Sequence, residues 1–411
     1  MRAVFASVVG LVVTATIAAC GTIVSIEGPG VTETPPGEDD GAARDGGGVP
    51  GDDASASGDG APADGAVDVC TATGTPAIDP TFASRSLAIS LVRGAWAPGG
   101  GFVVVGRSFC GDGGEAGVEL RTLDADGAPS ASRPPRCIAT GQELVESFAP
   151  RTAGGWELGS SLVASPYTAM LRTLDAAGNV VATKTRSGDF HQLALPVGSS
   201  LVWAGHRASP APEGTGFLGV AGGAISTTSG ERVVAAGARG ADLFAVVLST
   251  ADVSNPTVTL RKYLVGAAVS ETAAARSAAV AVPAATSAAS FDGLGGILVE
   301  GAKVTAALPD SGAIAIYEYV EGAGWAPKAS VGGLVAPTLL ARSCDGSLLL
   351  AYASTAGGYR LARFVAGNPN PTSELPLPAG GTPRSLLVDA QGRILVFQVV
   401  GGQGSVFRVV P

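Results

Sequence analysis

Two histidines, His191 and His206, and five cysteines carry most of the reactive side-chain chemistry in this 411-residue chain. A zinc site needs three or four His, Cys or carboxylate ligands at short spacing, and neither histidine has such a neighbour in sequence. A Ser–His–Asp arrangement draws its members from anywhere in the chain, but no G-x-S-x-G accompanies the two histidines. "GTGFLG" (Gly214 to Gly219) spells G-x-G-x-x-G, yet it opens no helical pattern and lies where a strand is expected. Asp124 and Asp126 lack the D-x-D-x-D-G spacing of a calcium loop. Neither a catalytic motif nor a metal or cofactor site is therefore expected.

The elements that would position such groups repeat. "LRTLDADGA" (Leu120 to Ala128) returns as "LRTLDAAGN" (Leu171 to Asn179). In each, an Asp can accept from the backbone two residues on and a Gly supplies a positive φ. That is the chemistry of a tight hairpin turn. Upstream of each copy lies a short apolar strand bounded by glycine, and seven such segments recur: "GFVVVG", "GWELG", "LVWAG", "RVVAAG", "GILVEG", "SLLLAY" and "RILVFQ". Each is followed by a partner such as "VELRTL", "AMLRTL", "LFAVVL" or "SVFRVV". With 60 glycines, 15% charged residues and apolar runs of only four to eight, the chain reads as all-β and turn-rich. Units of three or four strands repeating roughly every 48 residues predict a β-propeller of seven blades, with six as the alternative. The fourth unit stands too close to the third and too far from the fifth, so one register is misread or one outer strand is missing.

The last unit ends at Pro411 after its third strand, so "AIDPTFASRS" (Ala77 to Ser86) is expected to supply the missing outer strand and close the ring. The best unit, "GGFVVVG…LRTLDADG", resembles the delta-60 repeat of bacterial secreted propellers, a resemblance that implies fold and not activity.

"MRAVFASVVGLVVTATIAAC" has one early cation, Arg2, followed by an unbroken apolar and small-residue run, the pattern of an export signal. Its end, Ile17-Ala18-Ala19-Cys20, resembles a bacterial lipobox, which implies a signal peptide over 1–19 and acylation of Cys20. Gly21, rather than Asp, follows; by the same resemblance the lipoprotein is expected at the outer membrane, facing periplasm or cell surface. Within 20–69, the stretch from Gly37 to Val69 has no aromatic residue, nine acidic side chains and one arginine. It reads as a disordered linker that carries nearly all of the chain's formal charge of −9. The propeller is expected over 70–411.

With Cys20 acylated, four cysteines remain in an exported chain. Successive turns of a blade alternate between the two faces of the ring. Cys110 and Cys137 fall on one face, Cys70 and Cys344 on the other, so the pairs Cys110–Cys137 and Cys70–Cys344 are expected.

Trp156 and Trp203 hold equivalent positions in successive units, which points to packing between blades rather than sugar platforms. Turns between first and second strands read as short ("PGGG", "AGG", "VGS", "SGE", "CDGS", "AQG"). The other face reads as long-looped at 107–117, 206–215 and 266–287. Long polar loops on a rigid scaffold are where binding resides. Candidate contacts are Arg107, Asp112, Glu115, Asp189, His191, His206, Arg207 and Glu213. The Ala/Ser-rich stretch from Ser270 to Ser290 reads as a helical insertion or as disorder.

These features describe a monomeric, lipid-anchored cell-envelope propeller acting as a binding or scaffolding module for a protein or glycan partner. The anchor makes the membrane a second partner, and cation-poor loops weigh against nucleic acid. The rivals are a carboxylate-dependent exported hydrolase or lyase and a structural surface protein without a ligand.

Overall fold

A computed structural model describes residues 70–411 except 71–73, 83–84, 98–100, 111–114, 152–153, 165, 208–214, 253, 283–294, 311, 335–337 and 390. The export signal, Cys20 and the acidic linker lie outside the described residues. Seven antiparallel sheets, each a strand-by-strand meander, form the blades of a β-propeller, over 90–140, 143–187, 189–228, 231–281, 296–332, 339–376 and 381–410. A single antiparallel sheet leaves both faces to be covered, and a ring of blades covers each face with the next sheet. Accordingly, one apolar cluster sits between each pair of neighbouring blades. The cluster between blades 7 and 1 joins Phe397 and Val406 to Ile89, Phe102 and Val104, which completes the circle.

The ring closes as the strand count predicts. Ala77–Ile78 pairs with Val410 and Val409, and Arg85–Ser86 pairs with Val406 and Ser405, so the N-terminal segment forms the outer strand of blade 7. Asp79 ties it further: its amide donates to the Arg408 carbonyl at 2.9 Å and its carboxylate accepts from Arg408 Nε at 2.7 Å. Both expected disulfides are present, Cys70–Cys344 bridging 274 residues and Cys110–Cys137 bridging 27.

Two of the seven strand assignments shift. "RVVAAG" lies in the inner strand of blade 4, Glu231–Arg239, and "GILVEG" covers the inner strand of blade 5, Gly296–Glu300. The second strands are Asp242–Ser249, which contains "LFAVVL", and Lys303–Asp310. Second strands therefore begin at Phe102, Trp156, Ser200, Asp242, Lys303, Leu348 and Ile394. The crowding of units three and four disappears, and the long step to Lys303 contains the connection through 282–295. A run of four to six apolar residues flanked by glycine suits an inner strand and a second strand equally, because both are buried on two faces.

The repeated nonapeptides are hairpin turns between third and outer strands. Asp124 Oδ1 accepts from the amides of Asp126 (3.0 Å) and Ala128 (2.7 Å), and Asp175 Oδ1 from those of Ala177 (2.9 Å) and Asn179 (2.8 Å). Gly127 and Gly178 hold φ of 75° and 83°, the left-handed region that glycine enters without strain. The described part of the Ala/Ser-rich stretch, 270–282, holds no helical insertion beyond one 3-10 turn, and 283–290 lie outside the described residues. Val269–Glu271 pairs with the third strand of blade 4, a 3-10 turn spans Ala273–Ala275, and Val280–Ala281 rejoins the same strand.

The arginine of "LRTL" has a structural use. Arg121, Arg172, Arg261, Arg363 and Arg408 recur on the third strands of blades 1, 2, 4, 6 and 7, opposite Val104, Leu158, Ala245, Leu349 and Leu395. Each guanidinium meets a carboxylate: Glu119, Glu143, Glu231, Asp345 and Asp79 respectively. A guanidinium flat against a blade takes a carboxylate in two parallel bonds, as Arg172 does with Glu143 at 2.7 Å each.

Candidate functional site

The inner strand of blade 3, Asp189–Val197, carries Asp189 and His191, and its second strand, Ser200–Arg207, carries His206 and Arg207. His191 is not on a loop. It lies in the inner strand, fully buried between blades 2 and 3, with Nε2 2.7 Å from Ser147 Oγ and Nδ1 2.8 Å from Trp203 Nε1. The spacing is that of a nucleophile and its base, but the tautomer is wrong. An indole N–H only donates, so Nδ1 must accept and Nε2 carries the proton. His191 therefore donates to Ser147 Oγ, which also accepts from the Ala194 amide at 3.2 Å, and cannot take a proton from it. The apolar cluster between blades 2 and 3 is small (Ala169, Leu171, Ala194, Trp203, Phe217), and this polar knot supplements it. Trp156 and Trp203 are both buried between blades, as expected, although their positions are not equivalent: Trp156 opens its second strand opposite Pro150, and Trp203 is the fourth residue of its own, opposite Ala194.

Gly159 makes room for the knot: a Cβ there would stand 1.8 Å from His191 Nε2. The neighbours of His191 are themselves packed. Gly159→Ala is expected to lower unfolding stability by about 2–3 kcal/mol, read by urea denaturation.

His206 is also within a strand, Ser200–Arg207, not a loop. Its ring stacks on Phe190, centroids 5.2 Å apart, and Phe190 meets Tyr167 at 4.4 Å. These three half-buried rings form a shelf at the ends of the blade 2 and 3 strands. Asp189 is buried beside it, 2.6 Å from Arg186 Nε and 3.6 Å from Arg207 Nε, and the Arg207 side chain is 49% exposed. The structure thus brings Asp189, His206 and Arg207 together and adds Tyr167, Phe190 and Arg186. Arg107 and Glu115 stay on blade 1: Arg107 is half-buried within Phe102–Phe109, and Glu115 is exposed at the turn whose carbonyl accepts from the Cys110 amide at 3.1 Å. Asp112 and Glu213 lie outside the described residues.

Both histidines are held neutral. Burial pushes the pKa of His191 down to about 3, and burial, with the charge of Arg232, does the same for His206. The unfolded chain takes up their protons near pH 6.5 and the folded chain does not, so stability is complete above pH 6.5 and is lost as pH falls towards 3. Going from pH 7 to 5.5 is expected to remove about 2.5 kcal/mol for the two together. His206→Gln should halve that loss in paired denaturation curves, and a pH-independent midpoint would contradict it.

The division of loops between faces also changes. Residues 266–268 form a hairpin turn on the face of the first-to-second-strand turns, and "SGE" belongs to the connection from blade 3 to blade 4. The strand ends at Phe109, Arg207 and Gly296 lie on the shelf face, and 111–114, 208–214 and 283–294 next to them lie outside the described residues.

Next to the shelf, between blades 3 and 4, lies a cleft of about 250 Å³. Glu231, Arg232, Arg261, Glu271, Arg276 and Tyr263 are among its lining residues, none of them singled out by sequence. Arg261 binds Glu231 through both amino groups, at 2.8 and 2.6 Å, and reaches Glu271 at 3.4 Å. The bonds from Arg261 hold Glu231 below the usual carboxylate range, and burial pushes Tyr263 up to about 12. The "LRKYL" segment did carry a signal, since it repeats the arginine of "LRTL".

No protein-family model matches the chain, and no curated protein matches it. Among solved structures, a protein from Bacteroides uniformis ATCC 8492, provisionally named a 6-phosphogluconolactonase, is similar. The identity is 13% over 72% of this chain and 88% of that one, with a TM-score of 0.48. At that distance no ligand or reaction passes from one chain to the other. Among the described residues, no three His, Cys, Asp or Glu side chains group as metal ligands, and no helix is long and apolar enough to cross a membrane.

Proposed function

We propose that this chain is an exported, lipid-anchored propeller whose shelf face over blades 2 and 3 docks a protein or glycan of the bacterial envelope. The observation that carries the reading is the shelf itself: Tyr167, Phe190 and His206 in one stack, flanked by the half-exposed Arg207 and the buried Asp189. Aromatic faces beside a guanidinium offer apolar contact and directed hydrogen bonds in one place, the combination that binding sites use. Two disulfides accord with an oxidising compartment. The acidic linker would hold the ring off the membrane from Cys20.

Retention of the full chain on immobilised envelope polysaccharide and on envelope protein tests the docking. Wild type should be retained saturably on one of them, and Tyr167→Ala and Arg207→Ala should each weaken retention at least tenfold. Retention that is equal in all three proteins, or absent from both surfaces, would sink the reading. Incorporation of an alkyne fatty acid, lost in Cys20→Ser, tests the anchor separately.

An exported hydrolase or lyase has one observation in its favour, that Glu231 and Glu271 share a cleft. Arg261 keeps Glu231 ionised, whereas a general acid needs its pKa raised. Binding is therefore the stronger reading.

A further inference from the structure

We infer that the shelf of Tyr167, Phe190 and His206, with Arg207 at its edge, is a subsite for a hexuronate unit of an acidic envelope polysaccharide. This deepens the docking reading above and rests on it, since it commits the shelf to a glycan and names the group that is recognised.

The rings set the shape of the ligand. Phe190 stands 4.4 Å from Tyr167 and 5.2 Å from His206, centroid to centroid, and all three side chains are half-buried. An aromatic face is weakly negative, whereas the C–H bonds on one side of a pyranose carry slight positive charge. A sugar ring laid flat therefore covers the stack and keeps its hydroxyls in water. His206 contributes a ring face without charge, because burial holds its imidazole neutral.

The edge sets the ligand's sign. Asp189 opposes Arg207 and Phe190 opposes His206 at adjacent register positions of the same antiparallel pair, so Arg207 stands next along the strand from the stack. Asp189, with 4% of its side chain exposed, accepts from Arg186 Nε at 2.6 Å. Arg186 is held inward, its guanidinium 4.6 Å from the centre of the Phe217 ring. Arg207 differs. Its Nε is 3.6 Å from the same carboxylate, beyond hydrogen-bond length, and its side chain is 49% exposed. Two guanidiniums thus share one carboxylate, and Arg207 makes no side-chain hydrogen bond among the described residues.

A planar carboxylate fits the fork of Arg207 in parallel bonds. A hexuronate joins the two parts of the site, because its carboxylate is attached directly to the pyranose ring. A neutral sugar would cover the rings and leave Arg207 unused. An aspartate or glutamate side chain would supply the charge and leave the rings uncovered.

The test is calorimetric titration of the full chain with trimers of glucuronate and of galacturonate, each beside its neutral methyl ester, and with triglutamate, at fixed ionic strength. One acidic trimer should bind about tenfold or more tightly than its ester, the worth of a hydrogen-bonded charge, and more tightly than triglutamate. Arg207→Gln should bring that acid down to the affinity of the ester, with the ester's affinity and the melting temperature as in wild type. Tyr167→Ala should weaken acid and ester alike. Equal affinity for acid and ester, triglutamate binding as tightly as the trimers, or binding of no trimer overturns the inference. If it fails while wild type is still retained saturably on envelope protein, the docking reading stands without it; absence of retention from both immobilised surfaces removes the docking reading itself.

Discussion

Replacing Cys70 and Cys344 together by serine is expected to lower the melting temperature by about 8 °C, from a loss of roughly 5 to 6 kcal/mol. The bridge closes a loop of 274 residues, so it removes more conformational freedom from the unfolded chain than a short one. Cys110–Cys137, with a separation of 27, provides the internal comparison: by the same logarithmic dependence its removal should cost about 3.5 kcal/mol. The larger bridge also holds the segment on which closure depends. Cys70 leads into Gly74, whose carbonyl accepts from Arg363 of blade 6 at 2.7 Å, and then into the strands that complete blade 7. Calorimetry of the two double variants decides it. If both melt at the wild-type temperature, or if the short loop matters more, the closure account fails.

Arg172→Met should cost about 3–5 kcal/mol, because it strands Glu143, only 2% exposed, without its cation. Ser160 Oγ, at 2.7 Å, cannot replace two charge-assisted bonds. Glu143→Met with Arg172→Met removes both charges and should recover most of the loss, since a buried ion pair and a well-packed apolar pair differ little in stability. Denaturation of the two single variants and the double variant forms the cycle. A double variant no more stable than Arg172→Met would mean that the guanidinium matters for packing, not for pairing.

Asp124, Gly127, Asp175 and Gly178 show why the hairpins were legible: their bonds run within five residues, so a local motif specifies them. Ring closure and disulfide pairing were legible for a related reason. Both follow from counting strands, and alternation of faces is a rule of chain connectivity. The confusion of inner and second strands in blades 4 and 5 arose where that counting met two apolar runs of the same length and burial. His191 and His206 were misplaced because a polar residue near a strand end reads as loop, whereas here each is enclosed by a neighbouring blade or ring.

The sequence by itself determined the all-β class, the repeated blade, the hairpin chemistry, the closing segment and both disulfides, because each depends on composition, period or order along the chain. Tertiary structure alone decided what the side chains do. Arg172 meets Glu143 across 29 residues, His191 meets Ser147 across 44, and the cleft draws on both blades 3 and 4. Partners brought together by ring packing leave no spacing to read, and a donor such as Trp203 Nε1 sets a histidine's tautomer only once the blades are in contact.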